Sequence, residues 1–143
     1  MARQLHLSGS EIYAAMGNMN PSISRYARSS LIVKETEWEK ILDFAIQKRV
    51  DLAFIGPDPV LATPLADSLI GKGIPTASPS MSAARIETDK IFMRDLLSRH
   101  RIPGNIENRA FDSGEECMRW ISSNDGEFVV KPRGLTGGKG VKV

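Results

Sequence analysis

The chain has 143 residues, 41% of them hydrophobic and 25% charged, with a formal net charge of +2. That length suits one domain or one and a fraction, and the balance is that of a soluble globular chain able to bury a core. A small positive surplus spread along the chain excludes a nucleic-acid footprint, and no window approaches the roughly 20 apolar residues that would cross a membrane.

The single cysteine, Cys117, offers neither an intrachain disulfide nor the rest of a thiolate metal site. It reads as a packing residue in a protein of the reducing cytoplasm. The opening residues lack an apolar segment long enough for a signal peptide and resemble the last turns of a helix, while the far end stops inside a strand, so both ends read as cut.

Glu11 to Met16 is a short apolar strand that runs into a turn, Gly17-Asn18-Met19-Asn20-Pro21. Leu31 to Val33 reads as a second strand. Thr36, with Glu39 three residues on, has the capping-box pattern for a helix whose apolar stripe includes Trp38, Ile41, Leu42, Ala45 and Ile46. Asp51 to Ile55 is a continuous apolar strand of the kind buried in a parallel sheet, ending in Gly56-Pro57-Asp58-Pro59.

Val60 to Ile70 reads as one helix stopped by Gly71-Lys72-Gly73, and Ile74 to Ala77 as the next strand. Alternating strands and helices predict βαβ units, and ligands of such sheets bind beyond the carboxyl ends of the strands, where the loops at Gly17 and Gly56 lie. A charged helical stretch covers Met81 to Arg99, with a break near Glu87-Thr88-Asp89 that places Lys90 beside a helix N-terminus. A cation is disfavoured there unless an anion is near. After His100 to Gly104, Phe111 closes a short strand, Ser113 caps a helix through Trp120 and Ile121, and Glu127 to Lys131 forms a strand. These last 40 or so residues are too few for an independent core.

The final stretch, FVVKPRGLTGGKGVKV, holds four glycines and the lysines Lys131, Lys139 and Lys142. Glycines let backbone N–H groups approach an anion closely. The P-loop pattern fails here: Gly134 and Gly138 are too close together, Gly140 stands where a magnesium-binding hydroxyl belongs, and a strand rather than a helix follows. The residues alone leave two readings open, an ordinary β-hairpin with a glycine turn or a strand–loop–strand cover for phosphates.

Three spans taken together, DLAFIGPDPVLATPLAD, GIPTASPSMSAARIETDKIFMRDLL and FVVKPRGLTGGKGVKV, resemble the phosphoribosylamine–glycine ligases (glycinamide ribonucleotide synthetases) of the ATP-grasp superfamily, in order and spacing, from about Glu11 onward. The ETDK and KPRGLTGGKGV forms are most similar to the archaeal branch. The resemblance implies an α/β fold: a parallel-sheet, Rossmann-like preATP-grasp domain lacking its first strand over 1–79, a helical connection over 80–104, and the start of an ATP-grasp small domain over 105–143.

The implied reaction makes glycyl phosphate from ATP and glycine, and the amine of 5-phosphoribosylamine then displaces phosphate, in purine synthesis. Lys90 and Lys131 match the family's phosphate-contacting lysines. Gly134, Leu135, Thr136, Gly137, Gly138, Lys139 and Gly140 match its mobile flap. Gly56, Pro57 and Asp58, with Gly17 and Asn18, match loops on the phosphoribosylamine side. No residue matches a catalytic nucleophile or a metal ligand; ATP and Mg²⁺ are implied, with the metal's ligands outside this chain, which alone would be inactive. His6 and His100 read as surface residues.

The chain departs from the family in having Gly-Pro-Asp for Gly-Pro-Glu, Thr63 for a glycine, and no G-x-G-G-R-E-H segment. The alternatives are another ATP-grasp carboxylate–amine ligase or carboxylase, or a non-catalytic α/β nucleotide-binding module. Small-molecule partners are expected, without nucleic acid or membrane.

Overall fold

The computed structural model describes residues 1–137 and 139–143, so the expected flap residue Gly138 lies outside the described residues. They divide into two compact units, Met1–Ala84 and Arg85–Val143.

In the first unit a short helix α1 (Ala2–Leu7) precedes strand β1 (Ile12–Met16). The turn after β1 leads into a helical turn that the sequence reading missed, α2 (Pro21–Ser24). Its cause is local: the Asn20 side chain accepts from the N–H groups of Ser22 and Ile23, and Pro21 occupies the first turn, where no N–H is needed. Strand β2 (Ala27–Ile32) then runs parallel to β1, from Ile12 opposite Ala27 to Met16 opposite Ile32, with an irregularity after Ile12.

Helix α3 (Trp38–Lys48) carries the expected apolar stripe, but its cap differs. Thr36 sits in a turn closed by the Glu37 N–H on the Lys34 carbonyl, and Glu37 holds the N-cap position with no side-chain cap bond, so the capping box does not form. Strand β3 (Ala53–Phe54) pairs in parallel with β4 (Thr76–Ala77).

The helix expected over Val60 to Ile70 is two helices, α4 (Asp58–Leu61) and α5 (Leu65–Gly71). Pro64 has no N–H to continue the ladder. Both the N–H and the hydroxyl of Thr63 turn back to the Val60 carbonyl, at 2.9 and 2.7 Å. The Gly71-Lys72-Gly73 stop does form: Gly73 takes φ +80°, and Ile74 N–H reaches back to the Leu69 carbonyl at 3.0 Å.

The core of this unit joins Ala45 of α3, Val60 of α4, Leu65 and Leu69 of α5, and Ile74, with Trp38, Ile41, Leu42, Val50, Ala53 and Ile55 packed around them. Leu69 is its most deeply buried side chain, at 2% exposure. The parallel pairs β1–β2 and β3–β4 remain separate two-stranded sheets among the described residues. Tyr13, Ala15 and Met16 from β1 and Ala53 and Phe54 from β3 face one apolar cleft of about 160 Å³, floored by Ile41 and Phe44 of α3.

The second unit opens with α6 (Arg85–Thr88) and α7 (Lys90–Arg99), broken at Asp89 as the sequence suggests. Helix α8 (Gly114–Ser122) starts at Ser113, whose hydroxyl accepts from the Glu116 N–H at 3.1 Å. The strands expected at Phe111 and over 127–131 reduce to one antiparallel bridge, Val130 with Lys142. Phe111 instead packs on Trp120, which in turn meets Phe128 edge-on, with ring centroids 5.8 and 5.1 Å apart. No described residue of this unit is buried, which agrees with a segment too short to close a core. Among the described residues, no helix is long and apolar enough to cross a membrane.

Candidate functional site

The glycine-rich segment is a hairpin. Val130 and Lys142 exchange both backbone hydrogen bonds, Val130 N–H to Lys142 O at 2.8 Å and Lys142 N–H to Val130 O at 3.0 Å. This pair closes a loop over 131–141. Within it the Lys139 N–H turns back to the Thr136 carbonyl at 3.0 Å, and Gly137 and Gly140 take φ of +57° and +78°, in the left-handed region that favours glycine.

The loop is rooted on α7. Asp89 is the N-cap of that helix and accepts from the Phe92 N–H at 3.1 Å. Its carboxylate also takes a two-pronged pair from Arg133, Nε to Oδ1 at 3.0 Å and Nη2 to Oδ2 at 2.7 Å. The Arg133 fork and the Phe92 N–H together hold the Asp89 carboxyl well below the usual carboxylate range. Arg133 is held correspondingly higher by the same carboxylate. Arg85 lies 3.7 Å from Asp89 and stacks over the Phe92 ring at 3.8 Å.

Lys90 occupies the first position of α7. Its backbone N–H donates to the Arg133 carbonyl at 3.1 Å, and its ammonium donates to the Gly134 carbonyl at 2.6 Å. Two of the three ammonium donors remain uncommitted among the described residues. Lys131 and Lys139 are exposed, and their ammonium groups have no recorded partner among the described residues. Of the expected nucleotide residues, the fold thus brings Lys90 against Gly134 and sets Lys131, Leu135, Thr136, Gly137, Lys139 and Gly140 on the one hairpin. Asp89 and Arg133 were missed as members of this cluster. Their signal lay inside the quoted motifs, an acid directly before Lys90 and an arginine directly before Gly134.

In the first unit, the loops expected to meet substrate lie at strand carboxyl ends. Gly17 and Asn18 follow β1, while Gly56 and Pro57 follow β3 and Asp58 opens α4. A Cβ at Gly17 would meet the carboxylate end of the Glu35 side chain, which lies directly against this glycine. Glu35 was not singled out from the sequence. It lines the apolar cleft together with Met16 and Pro57, so a carboxylate stands where the ends of β1 and β3 come together.

Among the described residues no three His, Cys, Asp or Glu side chains gather into a metal-holding group.

A parallel α/β unit followed by a lysine-bearing glycine hairpin is the arrangement of an ATP-grasp protein. The fold is shared with the biotin carboxylase domain of a 2-oxoglutarate carboxylase from Hydrogenobacter thermophilus (TM-score 0.74, 18% identity, 99% of this chain and 33% of that one). It is shared also with the N5-carboxyaminoimidazole ribonucleotide synthetase of Thermotoga maritima (TM-score 0.70, 19% identity, 99% and 36%). Residues 1–87 match the phosphoribosylglycinamide synthetase N domain, and residues 88–143 match the ATP-grasp (A) domain of the same synthetase.

The chain belongs to the phosphoribosylglycinamide synthetase family. It is 52% identical to the phosphoribosylamine–glycine ligase of Methanothermobacter thermautotrophicus over 92% of its own length and 30% of that protein's. It is 45% identical to that of Pyrococcus abyssi over 94% and 31%. The chain thus spans about a third of the length of the curated relatives it matches.

Proposed function

We propose that the complete protein joins glycine to 5-phosphoribosylamine at the expense of ATP, and that these residues supply part of its phosphoribosylamine site and the cover of its ATP site. A glycine carboxylate oxygen attacks the γ-phosphorus and releases ADP. The amine of phosphoribosylamine then attacks the acyl carbon of glycyl phosphate, and phosphate leaves with that oxygen. Charge builds on the transferring oxygens in the first step, so the protein contributes chiefly by placing cations and backbone donors.

Lys90, Lys131 and Lys139 are the cations in this reading, and the backbone of 134–140 is the donor surface. The hairpin closing over the acyl phosphate excludes the water that would hydrolyse it. Gly17, Asn18, Gly56, Pro57 and Asp58 contact phosphoribosylamine. Mg²⁺ accompanies ATP and is held by residues beyond those described. The reaction belongs to the cytoplasm, consistent with a chain that holds one unpaired cysteine.

The observation that carries the reading is the Lys90 ammonium on the Gly134 carbonyl, which unites two motifs 44 residues apart in a chain of this family. The test is ADP release by the complete protein with substrates omitted in turn. Release that requires glycine and phosphoribosylamine together supports the proposal. Release with a different carboxylate or acceptor makes the protein another ATP-grasp ligase, and MgATP binding with no ADP release under any substrate combination makes it a non-catalytic nucleotide-binding module.

A further inference from the structure

We propose that Asp89 and Arg133 are positioning residues that set Lys90 against the root of the glycine loop, an inference that rests on the reading of Lys90 as a phosphate contact. The loop root is held at three points. Arg133 is fixed to Asp89 by a two-pronged pair of 2.7 and 3.0 Å, the Arg133 carbonyl accepts the Lys90 N–H at 3.1 Å, and the next carbonyl, of Gly134, accepts the Lys90 ammonium at 2.6 Å. A planar guanidinium fork on a carboxylate fixes direction as well as distance, so Arg133 cannot swing without losing one of its bonds.

Asp89 is itself fixed. It caps α7 through the Phe92 N–H, and its side chain is only 15% exposed although its partner Arg133 is 63% exposed. The stationary part of the arrangement is therefore the helix end, and the loop is attached to it through Arg133. The consequence for Lys90 is that its long side chain is already committed to one geometry. One N–H lies on Gly134, and the other two are uncommitted among the described residues. Releasing Arg133 frees Gly134 to move, and the ammonium loses the carbonyl that orients it. Beyond Gly134 the described loop backbone makes the Lys139–Thr136 turn before the Val130–Lys142 pair, so the Arg133 and Gly134 contacts mark where the fixed stem gives way to the loop.

Asp89→Asn separates this role from capping, because asparagine caps helices as well as aspartate but cannot form the charged fork. In the complete protein, hydrogen exchange of the Lys90 amide, which donates to the Arg133 carbonyl, is measured beside the ATP kinetics. Asp89→Asn and Arg133→Gln each speed exchange of the Lys90 amide about tenfold and raise KM for ATP about tenfold, with kcat within about twofold, while the α7 amides from Phe92 onward keep their protection. Arg133→Lys, which keeps the charge but not the fork, falls between. Wild-type exchange and wild-type KM in Asp89→Asn overturn the proposal. Lys90→Met, run alongside, separates the two levels. If it raises KM for ATP and Asp89→Asn does not, the positioning role alone fails. If it leaves KM for ATP unchanged, the phosphate reading of Lys90 fails and the positioning role with it.

Discussion

Lys131→Ala isolates ATP recognition from folding. Lys131 is exposed, lies one residue beyond the Val130–Lys142 pair, and its ammonium has no recorded partner among the described residues. Surface substitutions of that kind usually change stability by no more than about 0.5 kcal/mol. Against a phosphate the same ammonium makes a charge-assisted hydrogen bond, and removing it costs about 1.5–3 kcal/mol. At about 1.4 kcal/mol per decade, MgATP affinity falls roughly 10- to 150-fold. Calorimetric titration of the complete protein with MgATP, beside a denaturant melt, reads both quantities. Unchanged affinity, or an affinity loss no larger than the stability loss predicts, refutes the assignment of Lys131 to the phosphates. Lys90→Ala is the less clean experiment, because it also removes the Gly134 contact and loosens the loop.

Other consequences can be read separately. Leu69→Ala, at the most buried core position, leaves a cavity among Ala45, Val60, Leu65 and Ile74 and lowers unfolding stability by about 2–5 kcal/mol, seen as a fall in denaturant midpoint without a change in slope. Gly17→Ala drives its new methyl into the Glu35 carboxylate, whose flexible end can yield. Stability therefore changes by less than about 1 kcal/mol, while KM for phosphoribosylamine rises with KM for ATP unaltered, a split that initial-rate kinetics detects. The Asp89 pair has a defined pH sense. Its carboxyl is depressed from 3.8, so its stabilisation is complete above that value and is lost only as pH falls below 3.8 through the lower native value. Acid titration followed by NMR of the Asp89 carboxyl should show an inflection below that of an unfolded aspartate, and Arg133→Gln should move it back up.

Local chemistry was the legible part of this sequence. The Asp89 break, the Ser113 cap, the Gly73 stop and the α3 stripe each depend on residues within one or two turns, and each formed. Local patterns misled where a nearer partner competed. The Thr36 capping box gave way to a turn on Lys34, and the apolar period from Val60 to Ile70 runs through Pro64, which the periodicity does not register. Asn20-Pro21 carries turn residues, yet an Asx cap followed by proline is equally a helix start, and here it starts α2.

At the site, Lys90 and the glycine hairpin with Lys131 and Lys139 were visible as motifs. The contacts that make them one cluster were not. Asp89 and Arg133 are 44 residues apart, and Glu35 meets Gly17 from the turn beyond β2. No periodicity encodes such a meeting, because it follows from how the elements pack. Only the resemblance of the three spans indicated that Lys90 and the glycine loop belong together.

The central claim is that glycine is activated as its acyl phosphate. Glycine labelled with ¹⁸O in its carboxylate, incubated with the complete protein, ATP and phosphoribosylamine, tests it directly. Attack by that carboxylate on phosphorus and departure of phosphate from the acyl carbon carry one labelled oxygen into inorganic phosphate for each product formed. One labelled oxygen in phosphate per product, appearing only with the amine present and more slowly but at the same ratio in Lys131→Ala, is the predicted result. Product formed with unlabelled phosphate would contradict it.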